Sequence, residues 1–322
     1  MTVSRRSVLK TLAATGAAGA AAGLATPAEA SHEAAKLAPD AMGLLYDSTL
    51  CIGCQTCTVA CQRANGMPVD KSLVSANGAP YDFPSDTNGY NKSVIKLYKE
   101  GDRYAFMKAQ CMQCVDPACT KACMLGALHK VENGIVAWDA IRCTGCRYCQ
   151  ISCAFNVPKF QWLEAIPRIV KCELCRSRVD GGKGSACAEV CPRSAVLTGK
   201  SVDLLAIAKK RIAENPHKYY GEAGEDGKVV PKIYGEHDGG GTQTLYLAPA
   251  GISFEKLGLP KLDHVPPAEM AMNVQHTVYK GFIAPVVLYV AAAWAIVRNL
   301  RKEAAEQKAH HAEQSAHHKE GK

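Results

Sequence analysis

The cysteines of this chain fall at spacings that suit one kind of chemistry. Cys143, Cys146 and Cys149 follow one another at two-residue intervals, and Cys153 comes after three more. Cys51, Cys54, Cys57 and Cys61 repeat the run. Cys111, Cys114, Cys119 and Cys123 form a looser version, as do Cys172, Cys175, Cys187 and Cys191. All 16 cysteines are thereby used. Such spacing lets one tight loop wrap a cubic iron–sulfur cluster with three thiolates, while the helix after the loop carries the fourth to a neighbouring cube. The expected cofactors are four [4Fe–4S] clusters. A cube with four thiolates has no open iron, so its expected role is to accept and pass electrons.

Two rival uses of the thiols are weaker. Zinc is held by paired Cys-x-x-Cys units but has no use for the third closely spaced cysteine. Disulfides suit two-residue spacings poorly. If groups one and four pair, and groups two and three pair, the ligand sets follow. One cube takes Cys51, Cys54, Cys57 and Cys191, and its neighbour takes Cys61, Cys172, Cys175 and Cys187. A third takes Cys111, Cys114, Cys119 and Cys153, and the last takes Cys123, Cys143, Cys146 and Cys149. This pairing predicts that Cys61 lies nearer Cys175 than Cys54. No catalytic residues accompany the cysteines: there is no Ser-His-Asp pattern and no dinucleotide loop. His129, beside Leu128 on an expected strand, reads as a surface residue, and Tyr148, Trp138, Phe160 and Trp162 read as shields against water.

The elements around the cysteines are short. Cys61 is expected on a helix running to Asn65, and residues 66–92 read as a loop. A hairpin follows, with Val94 to Tyr98 and Tyr104 to Phe106 joined at Glu100-Gly101-Asp102. A second runs from Ala127 to Val131 and from Ile135 to Trp138 around Asn133-Gly134, a turn pair that tolerates positive φ. Loop, cysteine helix, hairpin, loop and cysteine helix is the plan of a two-cube ferredoxin. The expected fold class is α+β, tandem ferredoxin-like units of two cubes each, plus one C-terminal transmembrane helix. Ser201 to Asn215 reads as a half-buried helix capped by Ser201 and stopped by Pro216. Asp238-Gly239-Gly240-Gly241 reads as a flexible turn before the strand Thr244 to Leu247, and residues 248–270 as an extended crossing.

The ends of the chain suggest export and anchoring. Ser4-Arg5-Arg6-Ser7-Val8-Leu9-Lys10, an Ala- and Gly-rich apolar stretch and Ala28-Glu29-Ala30 read as a twin-arginine signal over residues 1–30. That route carries folded proteins, so clusters would be inserted before the chain meets an oxidising compartment. The cluster domain is expected over 31–275. Gly281 to Val297 is an apolar run without a charge, at the lower limit for a spanning helix. With Tyr279 and Trp294 near its ends it reads as an anchor over 276–298, a buried core helix being the alternative. Arg298, Arg301 and Lys302 follow it against Lys280 before it, which puts the tail, 299–322, in the cytoplasm and the cysteines outside. His310, His311, His317 and His318 in that tail fit a solvated helix better than a metal site. Net charge is +8, yet residues 101–200 carry 14 Lys or Arg against 8 Asp or Glu, so +6, alongside 12 cysteines. The basic excess offsets negatively charged cubes, and no nucleic-acid partner is expected.

Several stretches resemble a known family. They are Gly43 to Cys51, Gln110 to Pro117, Cys143 to Cys149, Lys171 to Cys175, Gly239 to Gln243 and Gln275 to Gly281. The cysteine motifs resemble the four-cluster ferredoxin subunits of membrane-bound oxidoreductases. The last two stretches, with the separate signal and single anchor, narrow the likeness to HybA-type periplasmic subunits of membrane-bound [NiFe] hydrogenases. The resemblance implies electrons passing from a hydrogenase small subunit, with its large subunit, to a multi-span membrane partner that serves quinone. Iron–sulfur subunits of molybdopterin enzymes, of formate dehydrogenase or sulfur-compound reductase type, are the alternative within the class. A zinc- or disulfide-built membrane-tethering adaptor is the alternative outside it. His276, Tyr279 and Lys280 fall where that quinone-handling partner would dock, interfacial anchoring being the plainer role.

Overall fold

The computed structural model describes residues 37–69, 81, 86–165, 167–223, 228–269, 286 and 288–307. Residues 1–30, His276, Tyr279, Lys280 and the four tail histidines lie outside the described residues. One compact unit spans His32–Met272. In the second unit the described residues are one helix, seen at residue 286 and over 288–307. Its apolar side chains Val290, Trp294, Ile296 and Val297 are exposed, and Arg298 lies 5.3 Å over the Trp294 ring. No helix among the described residues is long and apolar enough to cross a membrane. Much of the apolar run expected to do so precedes residue 288 and lies outside them.

The cluster unit is built of short pieces. Strand β1 (Met42–Asp47) leads to helix α1 (Thr56–Ala64). The hairpin β2 (Val94–Glu100) and β3 (Arg103–Ala109) precedes α2 (Ala118–Lys121). The hairpin β4 (Leu128–Lys130) and β5 (Val136–Trp138) precedes α3 (Tyr148–Ile151). The hairpin β6 (Lys159–Phe160) and β7 (Ile169–Val170) precedes α4 (Arg176–Asp180) and α5 (Ala186–Glu189). Then come β8 (Val196–Lys200), α6 (Ser201–Glu214), the pair β9 (Gly221–Ala223) and β10 (Val229–Pro231), and β11 (Thr244–Leu247).

Among the described residues one sheet has three strands, in the order β11-β1-β8. Strand β1 pairs parallel with β11, Leu45 opposite Leu245, and antiparallel with β8, Tyr46 opposite Val196. Strand β1 is paired at both edges and covered on both faces, with Leu44 and Tyr46 in the main core and Leu45 on the other face, so its Leu-Leu-Tyr-Asp run is buried throughout. Helix α6 lies on the sheet with Leu204 and Ala208 against Leu45, Leu245 and Leu247. One turn on, Arg211 Nη1 meets Asp47 Oδ2 at 3.0 Å. Asp47 is fully buried and also accepts from Tyr219 and from Thr49.

Three expectations are corrected here. Ser201 does not cap α6. Lys200 holds the cap position, and the Ser201 N–H donates to Ala41 O while its side chain is buried. The glycine run is not a flexible turn. Asp238 is buried, accepts the Gly235 N–H and pairs with Lys232, and a Cβ on Gly240 would lie 2.4 Å from Pro266. Residues 248–270 do not simply cross the domain. Their turns insert Ile252, Phe254, Leu257 and Leu259 into the main core. The spacing of those apolar side chains outweighed the prolines.

Asp47 is the natural place to test the fold. Arg211→Met keeps the apolar contact but leaves the carboxylate buried without its cation. Losing one partner of a buried pair costs about 3–5 kcal/mol, and a denaturant melt of the holoprotein reads that loss.

Candidate metal centres

Strand pairing decides which cysteines meet. Strand β1 ends four residues before Cys51, and β8 begins five residues after Cys191. Because the two strands are antiparallel neighbours with Tyr46 opposite Val196, both cysteines are delivered to one end of the sheet. The hairpin β4–β5 does the same for Cys123 and Cys143, which flank it by five residues on each side. The hairpin β6–β7 carries the chain from Cys153, six residues before it, to Cys172, two residues after it.

Two cavities result. Cys51, Cys54, Cys57 and Cys191 line the first, with Tyr46, Gln55, Ile95 and Arg193 on its walls. Cys61, Cys172, Cys175 and Cys187 line the second, with Ser93, Gln110 and Leu174. Cys61 thus stands beside Cys175, while Cys54 belongs to the other cavity. Cys114 and Cys119 feel the charges of Cys111 and Cys153, and Cys149 those of Cys143, Cys146 and Cys123. The four sets also follow one another in space. Cys57 lies in the field of Cys187, Cys172 in that of Cys111, and Cys119 in that of Cys149. Cys54 and Cys146, at the two ends of that row, are exposed, and the other fourteen are buried or half-buried. None of the sixteen is in a disulfide. Among the described residues no three His, Cys, Asp or Glu groups gather as ligands of one metal ion.

Each loop turns at the second residue after its first cysteine. Gly53 and Gly145 supply positive φ there in groups one and three. Gln113 and Leu174 occupy the same left-handed position in groups two and four, where a side chain is uncommon. Gln113 is tied down by its surroundings: it is fully buried, donates to Cys172 O at 2.8 Å and accepts the Val136 N–H at 2.7 Å. The turn aims donors at sulfur. Gly53 N–H reaches Cys51 Sγ at 3.5 Å, and Leu174 N–H reaches Cys172 Sγ at 3.4 Å.

Burial pushes the Cys57 and Cys119 thiols up to about 12 and Cys149 to about 11. Burial also raises Cys172 strongly, helped by the charges of Cys61 and Cys187. Empty, these sulfurs hold their protons at neutral pH, and iron must displace them. Two lysines ease that displacement, and sequence reasoning missed both. Lys108 is fully buried. Burial alone would strip its proton, but once ligation makes Cys187, Cys57, Cys61 and Cys172 thiolates their negative charge holds the ammonium charged. Lys171 is 2% exposed, donates to Val136 O and to Cys172 O, and lies in the field of Cys119. On strand β3 a lysine reads as a solvent-facing alternate, and only the thiolates behind it reveal otherwise.

Several buried donors have no protein acceptor: Lys108 Nζ, Gln110 Nε2 and Trp138 Nε1. Ser93 and Gln110 line the second cavity. Trp138 packs with Cys119, Cys123, Cys143 and Cys149. Sulfide-bearing clusters offer the acceptors these groups lack, so the residues present fit the group. The expected aromatic shields divide. Phe160 is buried and Trp138 half-buried among the cysteines. Tyr148 and Trp162 are exposed, with Arg147 stacked 3.9 Å over the Trp162 ring. His129 is half-buried on β4, with Nδ1 enclosed and without a partner.

Residues 103–201 match the 4Fe-4S dicluster domain family. The Hydrogenase-2 operon protein HybA of Escherichia coli O157:H7 is 37% identical over 293 residues, 82% of this chain and 87% of the relative. The iron-sulfur subunit of the nitrate-inducible formate dehydrogenase of Escherichia coli K12 is 30% identical over 247 residues, 75% of this chain and 78% of the relative. The formate dehydrogenase-O iron-sulfur subunit of the same strain is 31% identical over 254 residues, 77% and 78% respectively.

The site geometry predicts two outcomes. Gln113→Leu leaves the Val136 N–H buried without a partner and Cys172 O with Lys171 alone, a loss of about 2 kcal/mol at the usual cost of an unmade hydrogen bond, read in a denaturant melt. Reconstitution of the apoprotein with ferrous iron and sulfide releases protons and slows as pH falls from about 9 towards 7, because the raised thiol pKa values shrink the thiolate fraction. A pH-stat and the growth of visible absorbance measure both.

Proposed function

The chain belongs to the HybA-type iron–sulfur subunits, and from that premise we propose that it passes electrons from a periplasmic [NiFe] hydrogenase small subunit to a multi-span, quinone-reactive membrane partner. The sixteen cysteines are read as the ligands of four [4Fe–4S] clusters in the sets given above. When bound, a fully thiolate-ligated cube accepts and gives up one electron without changing its ligands. The observation that carries the reading is the row of four cysteine sets, exposed at both ends and covered between them. Cys54 with the exposed Ile52 marks one end. Cys146 with Met124, Leu125, Ile141 and Ile151, all exposed, marks the other. An apolar rim beside an exposed ligand suits a docking protein, as contiguous exposed apolar surface generally does. The chain's own contribution is to hold the ligands, exclude water from the inner two sets, and place positive charge among them.

Residues 1–30 are read as a twin-arginine signal and 276–298 as a single anchor with the tail in the cytoplasm. Support comes from the uncharged run Gly281 to Val297, the exposed apolar side chains of its helical part, and Arg298, Arg301 and Lys302 behind it. A hydrogenase partner is favoured over a formate dehydrogenase by the higher identity, 37% against 30%. Purification of the complex from detergent-solubilised membranes under argon tests the whole reading. The expected preparation carries a nickel-containing enzyme and, beyond the partners' own iron, about 16 iron and 16 sulfide for each copy of this chain, four cubes of four. A molybdenum-containing partner would replace the hydrogenase reading, and zinc without iron would overturn the electron-transfer role.

A further inference from the structure

We propose that the cube held by Cys61, Cys172, Cys175 and Cys187 is the highest-potential centre of the chain, and that Lys108 holds it there. The inference rests on the four-cluster reading. Reduction adds one negative charge to a centre. Nearby positive charge and hydrogen bonds to its sulfurs therefore favour the reduced form. At this set, each ligand sulfur has a donor. Asn65 Nδ2 lies 3.7 Å from Cys61 Sγ, Leu174 N–H reaches Cys172 Sγ, and Ser185 Oγ lies 3.4 Å from Cys187 Sγ. Ala186 N–H serves Cys175. Ser93, 1% exposed, serves Cys61 as well, and Gln110 Nε2 lines the same cavity, 97% buried and without a protein acceptor.

Charge points the same way. Lys108, with its ammonium unpartnered, acts on Cys187, Cys61 and Cys172 of this set and on Cys57 of the set beside it, Cys187 most strongly and Cys57 next. Lys92 and Arg178 act on Cys175. The one carboxylate on the cavity wall, Glu173, is bound by Lys92 at 3.4 Å and by the Trp138 N–H. At the far end of the row the provision is thinner. Cys149 is served by the Gln150 backbone and is otherwise surrounded by other cysteines. Trp138 Nε1 is the single unpartnered donor in its cluster, and Cys146 is open to water.

The test is a potentiometric titration of the anaerobic holoprotein, followed by electron paramagnetic resonance, with iron and sulfide counted on each preparation. In Cys175→Ser the highest-potential wave is expected to vanish or move while the lower waves persist. In Lys108→Met the reduced-to-oxidised ratio of that wave, at fixed ambient potential, is expected to fall at least tenfold, or 59 mV for a one-electron couple. The neighbouring centre shifts less, and Lys108→Arg restores both. Ser93→Ala moves the same wave the same way by a smaller amount, and it decides the matter if Lys108→Met does not assemble. A Cys175→Ser protein that keeps the highest wave and loses a lower one would overturn the assignment. So would an iron-replete Lys108→Met or Ser93→Ala protein whose highest wave stays put. Wild-type protein without iron would instead overturn the four-cluster reading beneath it.

Discussion

Buried sulfur that carries negative charge is the constraint on which the molecule depends. A thiolate taken out of water is costly unless something positive or hydrogen-bonding meets it. Here Cys57, Cys111, Cys172 and Cys187 sit in the main hydrophobic core, among Leu44, Tyr46, Ile95 and Tyr246. The middle of the protein is thus organised around its ligands rather than around aliphatic side chains alone. Lys108 and Lys171, the left-handed loop residues and the sulfur-directed N–H groups all answer that cost.

The same constraint explains why so little regular structure suffices. Helices α2, α3, α4 and α5 have four or five residues each. Isolated helices that short do not persist in water. They hold because each lies beside a cysteine loop whose geometry is fixed by ligation and packing. The three-stranded sheet and α6 give the rigid edge against which the loops are registered, and the Asp47–Arg211 pair locks that edge.

Much of this was legible in the residues. Cysteine spacing marked the four loops, Asn133-Gly134 marked a hairpin, and the fourth group, interrupted between Cys175 and Cys187, still supplied its four thiols. The pairing of distant groups was legible only as a hypothesis, because strand partners such as Tyr46 and Val196 are not signalled locally. Lys108 and Gln113 were not legible. A polar residue in an alternating strand or a loop reads as exposed, and only the tertiary fold turns it inward. The segment after residue 248 misled through its prolines, which fix φ but do not keep the intervening apolar side chains from the core.

The strand order also imposes a timetable on the growing chain. Cys123 and Cys143 are 20 residues apart and close through one hairpin, whereas Cys51 must wait for Cys191, 140 residues later, and β1 for β11. Contacts of such separation form slowly. The far end of the row is therefore the first part able to mature as synthesis proceeds. The near end stays open until almost the whole cluster domain has left the ribosome.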